Sequence, residues 1–303
     1  MAQQMSSIKK AEQAYTRKIM LQSVLRTVIC ILITIVCLLP IYIIVINATR
    51  DTTDIINQGV SLLPGGSLIQ NFQSLHDPDA AEGLYVQTFS LWRGYANSLI
   101  IAVFSTALTV FFSGMTAYGL TVYDFRLKKA ATTFVLMIMM IPTQVVSTGF
   151  LQFMVQLKLY DSYIPIILPA IAAPSVVFFM LQYMRSSFPA EIVEAARIDG
   201  CGEFMTFLRI SLPMLKPAFA VQAIFAFVTS WNNYYTPSML LISDKMSQRT
   251  MPMMVYSIIG NDKIADFGVK YLVVCLSILP VVIVYLCLSK FIVKGVALGA
   301  VKG

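Results

Sequence analysis

The chain has 303 residues; 57% are hydrophobic, only 12% are charged, and the formal net charge is +7. That charge fraction is about half that of a soluble domain, which excludes an ordinary water-soluble globule. The positive balance fits membrane topology and contact with anionic lipid, and a nucleic-acid partner is not needed to explain it.

The few charges are unevenly spaced. Six uncharged runs, 27–49, 94–123, 130–157, 162–184, 217–243 and 271–289, hold 23, 30, 28, 23, 27 and 19 residues. A helix needs about 20 mostly apolar residues to cross ~30 Å of hydrocarbon, so each run predicts a span. A seventh stretch, 55–75, is rich in Asn, Gln and Gly and reads as loop. The resulting expectation is an all-α membrane protein of six transmembrane helices. Of the 22 Lys and Arg residues, 15 fall on the side of the N-terminus, which predicts that both termini are cytoplasmic.

Taken in order, residues 1–26 are polar and basic. Ile8, Ala11, Tyr15 and Ile19 recur at helical spacing. They predict a helix along the cytoplasmic membrane surface, with a frayed tail as the alternative. The membrane domain then fills 27–303. Its first span, about 27–46, is too long for a cleavable signal and lacks a small-x-small site after it. Pro64-Gly65-Gly66 and Asp77-Pro78 mark turns in an outside loop, 50–93, long enough for a small cap. Span two, about 96–121, is rich in Ser, Thr, Ala and Gly and is expected at the centre of the bundle, because small residues let helix backbones approach closely in lipid.

Span three, about 131–155, contains Pro142, Gln144 and Gln152; span four, about 163–184, contains Pro165, Pro169 and Pro174. These prolines bend the helices, either to shape a cavity or as packing kinks. Span five, about 217–236, ends in Trp231, Asn232, Asn233, Tyr234 and Tyr235. An outside loop at 237–269, span six at about 270–290 and a tail at 291–303 complete the chain. Cys30, Cys37, Cys275 and Cys287 lie in spans and Cys201 in a loop, with no metal-ligand spacing; they read as small core residues. The single histidine, His76, reads as a solvated loop residue, and no span holds a Ser–His or His–metal arrangement for hydrolysis, so an enzyme is not expected.

The most informative stretch is the polar loop 185–217. Pro189 suits a helix start and Gly200 a left-handed helix cap. Ile192, Ala195, Ala196 and Asp199 share one side of that helix. A second short helix fits 202–210, with Phe204, Phe207 and Leu208 on an apolar face, ended by Pro213 and Pro217. The expected element is a bent helix–turn–helix shaped to receive a soluble partner.

At these residues the chain resembles a known family. Glu194-Ala195-Ala196, Gly200 after three residues, then Ile210, Leu212 and Pro213 after nine more match the EAA signature of bacterial ABC importer membrane subunits. The extension 195–200, the aromatic end of span five and the tail 299–303 resemble the carbohydrate-uptake branch, and the smaller permease of maltose-type importers. The likeness is strongest from about 94 to 303, with a core at about 94–290.

The resemblance implies a type I ABC importer permease fold in the bacterial cytoplasmic membrane, with 191–212 as a coupling segment seated in an ATPase cleft. Glu194 would contact the ATPase, with Ala195, Ala196 and Asp199 beside it, and Gly200 would permit the turn. Lys302 and its neighbours would reach the ATPase pair. The implied partners are a second permease, two ATPase subunits that bind ATP and Mg, and an extracytoplasmic solute-binding protein. The sequence has no G-x-x-x-x-G-K-[ST] phosphate loop, so the energy source is expected in a partner. The uncharged spans argue against a proton-driven carrier. A sugar path needs aromatic faces and amide or hydroxyl groups. Candidates are Gln144, Gln152, Ser175, Trp231, Asn232, Asn233, Tyr234 and Tyr235, with an interfacial aromatic belt as the competing reading of the Trp and Tyr residues. A non-sugar solute, such as a polyol or glycerol phosphodiester, is the alternative cargo.

Overall fold

The computed structural model describes residues 2–80, 84–189, 191–243 and 245–300, with side chains described within 15–289 of that set. The described residues are helical, with no strand. The chain divides into two compact bodies, Met1–Ser74 with Ala265–Cys275, and Leu75–Ile264 with Leu276–Gly303.

The first body begins with α1 (Ala2–Asn47), a single helix. The surface helix expected before span one is not separated from it, because no Gly or Pro breaks the run before Pro40. Ile8 and Ala11 carry side chains outside the described residues. After α1 come α2 (Thr52–Gln58) and α3 (Leu68–Ser74). Arg50 is buried here and, among the described residues, has no carboxylate partner. Its guanidinium donates to Gly59 O at 2.7 Å and Gln58 Oε1 at 2.9 Å, at the C-terminal end of α2, where helix carbonyls concentrate negative charge. Asn71 Nδ2 donates to Ala48 O and Arg50 O, and Thr52 binds Asp266, so the two sequence-distant parts of this body are joined.

The second body contains α4 (Leu84–Thr88), α5 (Leu91–Val122), α6 (Lys128–Met139), α7 (Thr143–Gln156) and α8 (Ile164–Ile167). A 3-10 turn (Leu168–Ile171) leads to α9 (Pro174–Ser187). The loop segment forms α10 (Glu191–Ile198), α11 (Glu203–Thr206), a π turn (Phe207–Ser211) and α12 (Leu212–Met214). Then follow α13 (Lys216–Trp231), α14 (Tyr235–Leu240) and α15 (Met251–Ile259). The last helix, α16 (Phe267–Ala300), starts in the first body and ends in the second.

Helix α5 is the centre of the second body, as its small residues predict. It packs against α9, α13 and α15. Its buried stripe includes Ser98, Ala102, Ser105, Thr109, Ser113 and Ala117, spaced three or four apart. In lipid, no hydrophobic drive separates helix from solvent, so such close, small-residue contact carries the packing.

Four stretches are long and apolar enough to cross a bilayer: Tyr15–Asn47, Leu84–Val122, Ile164–Ser187 and Phe267–Ser289. Two helix pairs satisfy the same test only when each is taken as one broken span. The expected third span is therefore not continuous. α6 and α7 meet at 93° around Pro142, which lacks an N–H and pushes Ile141 out of the helical region. Expected span five is also broken. α13 has 16 residues and stops at Trp231 before α14 begins, and it meets the preceding helical segment at 84°.

Gly114 on α5 faces the Phe219 ring of α13, with no room for a Cβ, whereas nothing lies within 4 Å of one at Gly149. Gly114→Val is expected to lower stability by about 1–3 kcal/mol through overpacking. Gly149→Ala should leave it unchanged or raise it. Thermal unfolding of the detergent-solubilised protein compares the two.

Candidate functional site: the coupling turn and the bundle cavity

The loop segment turns back on itself at Gly200, whose φ is +76°. Cys201 N–H donates to Ala196 O at 2.9 Å, and Gly200 N–H donates to Arg197 O at 3.0 Å. These two bonds are the paired 6→1 and 5→2 bonds of a Schellman cap. A Cβ at Gly200 would meet nothing within 4 Å, so glycine is needed there for its backbone angle, not for space.

Of the face expected to meet a partner, Ala195 and Asp199 are exposed and Ile192 is partly exposed, while Ala196 turns inward and forms the buried side of α10 with Val193. The reason lies in what it covers: a cluster of Tyr118, Leu120, Met180, Met184, Phe188 and Phe207 at the ends of α5 and α9. Glu194, Ala195 and Asp199 face outward, with Ile198 87% exposed beside them. The expected apolar face of the second helix is split. Phe207 is buried against Phe111 and Tyr118, while Phe204 is exposed.

That second helix also continues past its expected end at 210. A π turn places Leu212 N–H on Phe207 O, five residues back, just ahead of Pro213. The wider turn accommodates a residue with no N–H to give. Ile210 and Leu212 are half-buried, Leu212 against the aromatic cluster, and Pro213 is exposed.

Three residues absent from the motif brace the turn. Arg197 Nε donates to Glu203 Oε1 at 2.7 Å, and Tyr123, just past α5, donates its hydroxyl to Glu203 Oε2 at 2.7 Å. The Arg197 guanidinium lies 5.6 Å from the Tyr123 ring centre. The hydrogen bonds from Arg197 and then Tyr123 hold the Glu203 carboxyl below its usual range. Burial first, then the bond to the carboxylate, pushes Tyr123 up to about 12. Arg197 and Glu203 lie inside the loop, but Tyr123 is 80 residues from Glu203, and no spacing in the sequence signals it.

The second feature is a cavity of about 330 Å³ among α5, α8, the 3-10 turn, α9 and α13. Of the expected path residues, Ser175 and Asn233 line it. The others lie elsewhere. Gln144 and Gln152 are on the exposed side of α7. Trp231 is neither path nor belt; it is buried, stacked on Phe227 at 5.9 Å, with its indole N–H donating to Ser277 O at 3.0 Å. Asn232 is exposed. Tyr234 packs on Tyr256 at 4.5 Å and lines a separate cavity of about 320 Å³ with Arg249 and Ser257. The Tyr235 hydroxyl shares a 2.8 Å hydrogen bond with Ser147 Oγ of α7. Sequence reasoning missed Ser105, Thr109, Gln222 and Thr229, which line the cavity. Their polarity within uncharged runs was the available signal. Lys302 and the end of the tail lie outside the described residues.

Residues 110–298 match the family model described as "binding-protein-dependent transport system inner membrane component". The chain belongs to this family. It is therefore a membrane permease component of a transport system that depends on a binding protein. Among curated family members, it is 33% identical to the arabinooligosaccharides transport system permease protein AraQ of Bacillus subtilis (strain 168), over 91% of this chain and 95% of that one. It is 30% identical to the probable starch degradation products transport system permease protein AmyC of Thermoanaerobacterium thermosulfurigenes, over 94% and 99%. It is 26% identical to the sn-glycerol-3-phosphate transport system permease protein UgpE of Escherichia coli O1:K1 / APEC, over 86% and 90%. Its fold matches a chain of a bacterial ABC transporter involved in the import of the acidic polysaccharide alginate, with a TM-score of 0.72 and 22% identity, over 88% of this chain and 95% of that one.

The depressed Glu203 acidity gives a pH prediction. A carboxyl more acidic when folded stabilises the turn above its ordinary value of 4.5, and this is lost as pH falls through the lower folded value. Glu203→Gln should therefore speed amide exchange across 197–206 severalfold at pH 7. The difference between variant and wild type should shrink when both are measured at acid pH.

Proposed function

We propose that this chain is one of two permease subunits of an ATP-driven importer for a sugar, coupled to a cytoplasmic ATPase through α10 and its turn. The observation that carries the reading is the braced turn itself. It presents Glu194, Ala195, Ile198 and Asp199 outward on a helix held from beneath by Val193 and Ala196. A firm base with an exposed apolar and acidic surface transmits force from a docked partner with little loss in the element itself.

In this reading the chain crosses the membrane six times, with the bent pair α6 and α7 as span three, α13 and the residues after it to about 236 as span five, and both termini in the cytoplasm. The partners are a second permease, two ATPase subunits that bind ATP and Mg, and an extracytoplasmic binding protein; the chain has no ATPase site of its own. Closure of the ATPase pair pushes α10. The push passes through Phe207 and the π turn into α13, and the spans rock between inward-open and outward-open states. The sugar assignment is supported by the arabinooligosaccharide and starch-product relatives. A phosphorylated or polyol cargo is the second reading, favoured by the likeness to UgpE.

Glu194→Ala and Gly200→Val are expected to reach the membrane at normal levels and lose tenfold or more of ATP-driven import, about 1.4 kcal/mol or more of coupling. In a complete reconstituted complex, ATP hydrolysis and sugar uptake are measured together. Normal uptake in both variants would sink the coupling assignment. A milder Gly200→Ala should cost about 1 kcal/mol in the left-handed position and reduce uptake less.

A further inference from the structure

Tyr123 touches both arms of the coupling turn and also belongs to the end of the central helix. Its backbone N–H donates to Gly119 O at 3.3 Å, and its ring meets that of Tyr118 edge-on, with centres 6.1 Å apart. Tyr118 is itself buried on α5, so the Tyr123 side chain is carried by that helix. On its other side Tyr123 reaches α10 through Arg197 and α11 through Glu203, the first residue of α11. The same end of α5 is fastened to α6. Lys128 Nζ donates to Thr121 O at 3.2 Å and pairs with Asp124 Oδ1 at 3.1 Å. A continuous chain of contacts therefore runs from the turn to α5 and on to α6 without passing through α13.

The seat beneath α10 and this brace do different things. Val193 and Phe207 meet the seat by apolar contact, which is non-directional and resists separation more than sliding. A hydrogen bond is directional, and one to a carboxylate is stronger than a neutral one. The 2.7 Å bond from Tyr123 to Glu203 therefore sets where the second arm sits around α5. Arg197 shares that carboxylate and lies within cation–π range of the Tyr123 ring, so the first arm is registered on the same side chain. Arg197 and Glu203 are both exposed, and the apolar packing of the seat does not require them.

We infer that Tyr123 is a positioning residue of the coupling step: it registers both arms of the turn on α5, so that a push on α10 enters the bundle at the α5–α6 junction as well as at α13. The inference rests on the coupling reading and adds a second route to it. Helix α5 packs on α9, α13 and α15, so motion delivered to its end reaches most of the second body directly.

The test uses the complete complex with its ATPase subunits. Amide exchange is read by mass spectrometry with and without trapping by ATP and vanadate. In the wild type, trapping is expected to change exchange severalfold at 121–132, the α5–α6 junction, and at 212–220, the start of α13. Tyr123→Phe removes one hydroxyl and keeps the ring. It should abolish most of the trapping-dependent change at 121–132 and retain the change at 212–220. Glu203→Ala breaks the same bond from an exposed position and should act alike, which keeps the test open if Tyr123→Phe fails to assemble. A purely structural role would raise exchange at 121–132 equally in both states and leave the difference intact; that result, or equal loss at both segments, would overturn the inference. A wild type that responds only at 212–220 would also overturn it, with the coupling reading left standing. A wild type with no trapping-dependent change at 191–200 would remove the coupling reading, and this inference with it.

Discussion

The seating of Val193 and Phe207 on the ends of α5 and α9 is the contact on which the remaining functional geometry depends. It sets the rotation of α10, and therefore which residues face outward. It also fixes the distance between the turn at Gly200 and the first turn of α13. A loop held only by its two connections would swing under load; one packed onto Met180, Met184 and Tyr118 moves with the helices beneath it. The Arg197–Glu203–Tyr123 brace adds direction to this packing, because it ties both arms of the turn to the end of α5. The π turn at Phe207–Ser211 is an irregular helical link in the path from α10 to α13, and an irregular helical turn is where bending meets least resistance.

The membrane imposes the second constraint. Spans of uncharged residues insert easily but leave few groups able to recognise a solute. One small cavity of the bundle is lined by amides and hydroxyls contributed by several helices, while α5 brings its neighbours close through Ser, Ala and Gly. The broken helices are supported by protein atoms in turn. The break at Pro142 and the stop at Trp231 bring Ser147 and Tyr235 into contact, so backbone irregularity is confined to places where protein atoms satisfy it.

Much of this was legible in the chain because it is local. Four of the six charge-free runs coincide with helices long and apolar enough to cross a bilayer, and the spacing from Glu194 to Gly200 coincides with α10 and its cap, since a left-handed position leaves a glycine in the sequence. Rotation was not legible. A span that is apolar all round carries no moment to say which side faces a cavity, so nothing in the sequence separates Gln144 and Gln152, read as path candidates, from Gln222, which was missed, and Trp231 reads either as path or as belt. Tyr123 was invisible for another reason: its role depends on folding that brings together residues 80 apart. The angle at Pro142 was only half legible, because proline announces a break and neighbouring packing decides how sharp it becomes.

The knot around Arg50 bears on how the polypeptide is assembled. Its neighbours Asn71 and Thr52 lie close in sequence, but Asp266 and Gly268, which bond to Thr52, lie 214 and 216 residues further on. The end of α1 can therefore gain its bonds to Gln58, Gly59 and Asn71 long before the second half of the clasp is made. Closure of the clasp is a late event in the formation of the first body, completed only when the start of α16 arrives.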